Sequence, residues 1–187
     1  MAPASRGAGR TPAGAPHNTL RLWAPWRDAY LRRAGSQRRP ACIFCHGRLT
    51  AAERRRNLVL YDDGRALVML NRYPYNNGHI MIAPRRHVAT PELLTRSETS
   101  AIAELLSESI KRLRHALRPA GFNLGANLGR VAGAGFAGHL HWHVVPRWDG
   151  DTNFMPVLAS TRVLSQHLKD SYAQLQGVFG RIGGSSS

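Results

Sequence analysis

The apolar positions of this chain fall first into period-two runs, then into a long period-3.6 stripe, then into period two again. Asn57–Tyr61 and Arg65–Leu70 are short apolar runs on either side of Asp62-Asp63-Gly64, the pattern of a strand, a tight turn and a returning strand. Gly78–Pro84 (GHIMIAP) reads as a third strand. From Thr95 to about Leu117 the spacing changes: Ile102, Leu105, Leu106, Ile110, Leu113 and Leu117 recur every three or four residues, which places them on one face of a helix. Thr95-Arg-Ser-Glu98 is a capping box for its start, and Pro119 and Gly121 end it. Two further strands follow, Phe122–Asn127 and Gly138–Pro146, separated by the glycine-rich stretch Gly129–Gly135. Strands joined by short turns beside one long amphipathic helix give an α+β fold, an antiparallel sheet of about five strands with the helix on one face.

Outside this patterned region the composition changes. Residues 1–16 hold Pro, Gly, Ala, Ser and Arg with almost nothing to bury, and are expected to be a disordered basic tail; 183–187 are expected to be flexible. The domain is then 17–182. No apolar run is long enough to span a membrane, and no signal peptide is apparent. Two cysteines are too few for a secreted disulfide framework and read as cytoplasmic thiols or metal ligands. The net charge of +15 favours a polyanionic partner such as a nucleotide, although arginines also fill segments without a motif, including Arg54-Arg55-Arg56.

The chemistry concentrates in Gly138-His-Leu-His-Trp-His-Val-Val-Pro-Arg147. On a strand, His139, His141 and His143 point to one face and Leu140, Trp142 and Val144 to the other. Such a row of imidazoles is either a metal site or a relay around one nucleophilic ring. A neutral imidazole attacks phosphorus when its second nitrogen donates to a fixed acceptor, and a glycine-rich loop offers backbone amides to phosphate oxygens. Cys42-Ile-Phe-Cys45 supplies two sulfurs with the spacing of half a zinc site. Trp23, Trp26 and Trp142 read as packing residues, and His17, His115 and His167 as surface residues.

His139-Leu-His-Trp-His-Val-Val145 resembles the signature of the histidine triad (HIT) superfamily. Leu70-Asn-Arg-Tyr-Pro-Tyr-Asn-Asn-Gly-His79 is similar to its nucleotide-binding segment, and Asn127-Leu-Gly129 to the strand end before its glycine loop. Leu22–Arg27, Cys42–Cys45 and Pro146–Met155 resemble the bacterial branch of diadenosine tetraphosphate phosphorylases and hydrolases.

The resemblance implies a nucleotidyl transferase or hydrolase that cleaves diadenosine polyphosphates. His141 would be the nucleophile, His143 would contact the phosphates or leaving oxygen, and His139 and His79 would orient the triad. Asn71 would bind ribose, Asn127 the α-phosphate or leaving group, and the backbone at Gly133 and Gly135 the phosphate. Trp148 would reach the distal nucleotide. The resemblance further implies a structural zinc on Cys42, Cys45, His87 and His139, with His46 as a competing ligand, and a homodimer. The histidine motif itself requires no divalent metal for the chemistry; magnesium would enter with the polyphosphate.

One departure leaves the acceptor open between inorganic phosphate and water. The loop Ala132-Gly-Ala-Gly-Phe136 lacks both the Gln of some family hydrolases and the Gly-Ser of phosphorylase-like relatives. Two other readings stay in play: a hydrolase of other adenylylated substrates, and a nucleotide-binding sensor. A nucleic-acid partner is the weaker expectation, since no further cysteine follows Cys45 to build an appended zinc finger.

Overall fold

The computed structural model describes residues 42–151 and 166–180; the two expected tails, His17, Trp23 and Trp26 lie outside these. A short helix α1 (Ala51–Asn57) leads into strands β1 (Val59–Asp62), β2 (Ala66–Leu70) and β3 (Ile80–Pro84). Helix α2 (Arg96–Leu117), strands β4 (Gly121–Ala126) and β5 (Trp142–Arg147), and helix α3 (Leu168–Phe179) follow. The strands form one antiparallel sheet in the order β1-β2-β3-β5-β4. The last strand is therefore internal, and α2 carries the chain from β3 to the sheet's far edge.

Local signals explain most boundaries. Asp63 Oδ1 accepts from the backbone N–H groups of Arg65 and Ala66, and Gly64 sits at φ +83°, which closes the first hairpin. Thr95 and Glu98 form the expected capping box on α2. Thr50 and Glu53 form a second one on α1. That helix claims Asn57, and Leu58 follows in the left-handed conformation, so β1 starts two residues later than its apolar run suggests. α3 was not anticipated, yet Leu168, Tyr172, Leu175 and Phe179 mark one helical face on the core.

The two faces of the sheet bury different things. On one, Leu60, Val68, Leu70, Ile80, Ile82 and Val144 pack under Ile102, Leu105 and Leu113 of α2 and Tyr172, Leu175 and Phe179 of α3. On the other, Val59, Leu67, Met69, Met81 and Ala83 surround the fully buried Phe44. His143 lies opposite Met81 on β3 and Gly125 on β4, so it belongs to this second face, the one that holds Phe44. A side chain built on Gly125 would meet nothing within 4 Å, so open space borders His143 there.

Candidate active site and metal centre

The histidine row is only partly strand. β5 begins at Trp142, so His139, Leu140 and His141 precede the sheet ladder. The chain bends there, and the three imidazoles divide between two sites. His141 and His143 stay together, with ring centroids 5.0 Å apart. The His139 ring turns toward the cysteines, and its carbonyl is what reaches His141.

Backbone groups fix the tautomers. His141 Nδ1 lies 2.8 Å from the His139 carbonyl oxygen. A carbonyl only accepts, so Nδ1 carries the hydrogen and Nε2 keeps its lone pair. The Tyr75 backbone N–H donates to His79 Nδ1 at 3.0 Å. That puts the His79 hydrogen on Nε2, which is 2.9 Å from His143 Nδ1 and donates to it. His143 is thereby left with its hydrogen on Nε2. The pair presents one lone pair, on His141, and one N–H, on His143. Burial lowers both pKa values, that of His143 to about 4 with a smaller contribution from His141. Both rings are neutral near pH 7, and a neutral His141 is the nucleophilic form.

The loop Asn71–Gly78 wraps this pair. Asn71 Oδ1 accepts from the Tyr73 N–H, and its amide nitrogen is 3.5 Å from both ring nitrogens of His79. The Tyr75 ring stacks on His79 with centroids 4.9 Å apart. Asn76 donates to the Pro146 carbonyl and to Asp151, whose carboxylate also takes a two-pronged ion pair from Arg147. Gly78 has φ +68°, and a Cβ there would lie 2.3 Å from Leu117 Cδ1, so the turn that delivers His79 requires glycine. On the opposite side, the Asn127 amide reaches the Gly133 carbonyl at 3.5 Å across the glycine loop, in which Gly133 has φ +87°. Gly135 follows in the same loop. Trp148 follows directly after β5, where its backbone N–H donates to Asp151 Oδ2 at 3.1 Å.

Cys42, Cys45, His87 and His139 converge as expected, with one ligand atom from each inside a 4.8 Å cluster. His139 Nδ1 is 3.3 Å from Cys42 Sγ, 3.5 Å from Cys45 Sγ and 3.3 Å from His87 Nδ1, and Cys45 Sγ is 3.1 Å from His87 Nδ1. Tetrahedral zinc, with bonds of about 2.0 Å to nitrogen and about 2.3 Å to sulfur, spaces its ligand atoms about 3.3–3.8 Å apart. His139 Nε2 donates to the Pro84 carbonyl at 2.8 Å, which leaves Nδ1 free to bind and holds the ring in place. Desolvation, then the adjacent Cys42 sulfur, push the Cys45 thiol up to about 11, so a second thiolate there calls for a cation. The donor set fits zinc. His46 does not join the cluster. Phe44, between the two cysteines, was not singled out in the sequence, although its ring lies against both His139 and His141.

Comparison with known proteins places the chain in a family. The HIT domain profile matches residues 53–150, more than half of the chain. An AP-4-A phosphorylase from Mycobacterium tuberculosis is 38% identical over 157 residues, covering 81% of this chain and 80% of that protein. The chain belongs to the HIT domain family, whose members are nucleotide hydrolases and transferases. An adenosine 5'-monophosphoramidase from Schizosaccharomyces pombe is 27% identical over 110 residues, covering 57% of this chain and 74% of that one. Among solved structures, a zinc-bound histidine triad protein from Mycobacterium smegmatis superposes with a TM-score of 0.56 at 23% identity, covering 69% of this chain and 88% of that one. No described helix is long and apolar enough to cross a membrane.

Proposed function

We propose that the protein cleaves diadenosine polyphosphates at the α-phosphorus through a nucleotidyl-His141 intermediate, in the manner of a diadenosine tetraphosphate phosphorylase or hydrolase. The observation that carries the reading is the pair of fixed tautomers, a lone pair on His141 beside an N–H on His143. His141 Nε2 attacks phosphorus; the N–P bond forms as the bond to the bridging oxygen breaks. The departing oxygen takes the hydrogen bond, and then the proton, of His143 Nε2–H. With diadenosine tetraphosphate the departing nucleotide is ATP. Attack by inorganic phosphate on the intermediate then gives ADP, and attack by water gives AMP. His79 holds His143, Asn71 binds ribose, Asn127 contacts the α-phosphate or leaving group, and the backbone at Gly133 and Gly135 receives phosphate oxygens.

In this reading Cys42, Cys45, His87 and His139 hold a structural zinc, as their spacing and the zinc-bound relative support. The metal ties the segment ahead of the matched domain to the catalytic strand. β4 ends the sheet and exposes Leu124, an edge suited to the expected homodimer. Its two cysteines form no disulfide, which suits a reducing cytoplasm. The monophosphoramidase relative supports a second reading, hydrolysis of adenylylated amines by the same nucleophile.

The test is product analysis with diadenosine tetraphosphate, with and without phosphate, for the wild type and His141→Asn. ADP plus ATP only with phosphate defines a phosphorylase, and AMP plus ATP without it a hydrolase. Turnover by His141→Asn near the wild-type rate would sink the mechanism. Turnover of an adenosine phosphoramidate alone would favour the second reading.

A further inference from the structure

Phe44 has an unusual position for its sequence neighbourhood. Ile43 and Cys45 on either side are exposed, yet Phe44 is fully buried. The Cys45 N–H bonds back to the Cys42 carbonyl, so the four residues form a tight turn. Its outer positions hold the two sulfurs of the Cys/His cluster, and its inner position holds the aromatic ring. That ring stacks on His141 with centroids 4.9 Å apart and planes 28° from parallel. It also leans on His139 at 5.1 Å and meets the edge of Phe136 at 6.2 Å. His141 Nδ1 is anchored by a single hydrogen bond, to the His139 carbonyl. One such bond leaves a ring free to rock about its axis. A flat aromatic surface on one face removes that freedom.

We propose that Phe44 is a positioning residue for the reaction. It fixes the plane of the His141 imidazole and so aims the Nε2 lone pair, acting through His141 and touching no substrate. This rests on the assignment of His141 as nucleophile. The turn that carries both sulfurs thereby sets the attack geometry. Near-attack alignment is sensitive to displacements of about 1 Å, which cost on the order of 100-fold in rate.

The experiment compares wild type, Phe44→Leu and Met69→Ala. Leucine fills much of the volume but offers no flat face. Met69 lies in the same core cluster on β2, with β3 between it and β5, so its truncation controls for simple loosening. Steady-state kinetics on diadenosine tetraphosphate are combined with nitrogen-15 NMR of the His141 ring. The inference predicts a kcat about 10- to 100-fold lower for Phe44→Leu with KM within about 3-fold. It also predicts loss of the single Nδ1–H signature in Phe44→Leu, and both properties near wild type in Met69→Ala. A Phe44→Leu protein with wild-type kcat and an unchanged His141 signature would overturn it. So would equal losses in both variants. A wild-type protein with no turnover of any adenylylated substrate would refute the proposed function instead, and the NMR comparison would still decide the role of Phe44.

Discussion

His79→Leu tests the tautomer relay most cleanly, because His79 is fully buried and bonds on both sides. The substitution removes the donor to His143 Nδ1 and the acceptor for the Tyr75 N–H while keeping an apolar side chain in place. Without its donor, His143 divides between two tautomers of similar energy, of which one carries the Nε2–H; that alone costs a factor of a few. The lost hydrogen bond no longer orients the ring, and at about 1 kcal/mol net it adds roughly fivefold. Together these predict a kcat about 10- to 20-fold lower, with KM little changed, since the interaction acts on the departing oxygen. Tyr75 is exposed and His143 half-buried, so water takes up part of the lost bonding, and urea unfolding should show a loss of roughly 1–3 kcal/mol. His79→Gln, which can present an amide donor, should recover part of the rate. A His79→Leu enzyme with wild-type kcat would refute the relay. One as inactive as His141→Asn would mean that His79 takes part in the chemistry itself.

Three further outcomes follow from the same geometry. Gly78→Ala combines a left-handed backbone, costing about 1–2 kcal/mol, with a methyl driven into Leu117, for about 1–3 kcal/mol more; a urea midpoint unchanged from wild type would contradict the close packing at that turn. Cys42→Ser should abolish stoichiometric zinc in metal analysis and lower the thermal midpoint, whereas His46→Ala, outside the cluster, should retain a full complement. Burial lowers the His143 pKa from 6.5 to about 4, so between those values the unfolded chain binds more protons than the folded one. This group's contribution to stability therefore rises with pH through that window and is lost as pH falls, by up to about 1.4 kcal/mol per pH unit. Turnover should stay flat from pH 8 to about 6 and fail toward pH 4, where a protonated His143 Nδ1 faces the His79 donor; a titration of kcat centred near 6.5 would contradict the burial argument.

The parts of the fold visible in the sequence are those written in local periodicity. The first hairpin needed only Asp63 and Gly64 between apolar runs, and α2 only its stripe and capping box. α1 carried an equally readable capping box, Thr50 to Glu53, hidden because the arginine run after it has no apolar face. α3 kept the spacing Leu168, Tyr172, Leu175, Phe179 on too short a stretch to stand out. The sheet order was not readable, since it depends on β5 pairing with β3 across the whole of α2. Of the site, the histidine row and the CxxC pair were plain. The resemblance assigns His139 to the zinc set and His141 to the attack; the bend ahead of β5 that parts the two rings was not legible, because alternating residue types do not encode it. Phe44 had no signal beyond being apolar between two cysteines.

The central claim is that His141 becomes covalently nucleotidylated. The direct measurement is a rapid acid-free quench of wild-type enzyme with diadenosine tetraphosphate in the absence of phosphate, followed by peptide mass spectrometry. The account predicts an adenylyl adduct on the peptide containing Gly138–Arg147, localised to His141, absent in His141→Asn and discharged as ADP on adding phosphate if phosphate is the acceptor. Turnover with the adduct on another residue, or at wild-type rate with no adduct at any quench time and undiminished in His141→Asn, would contradict it.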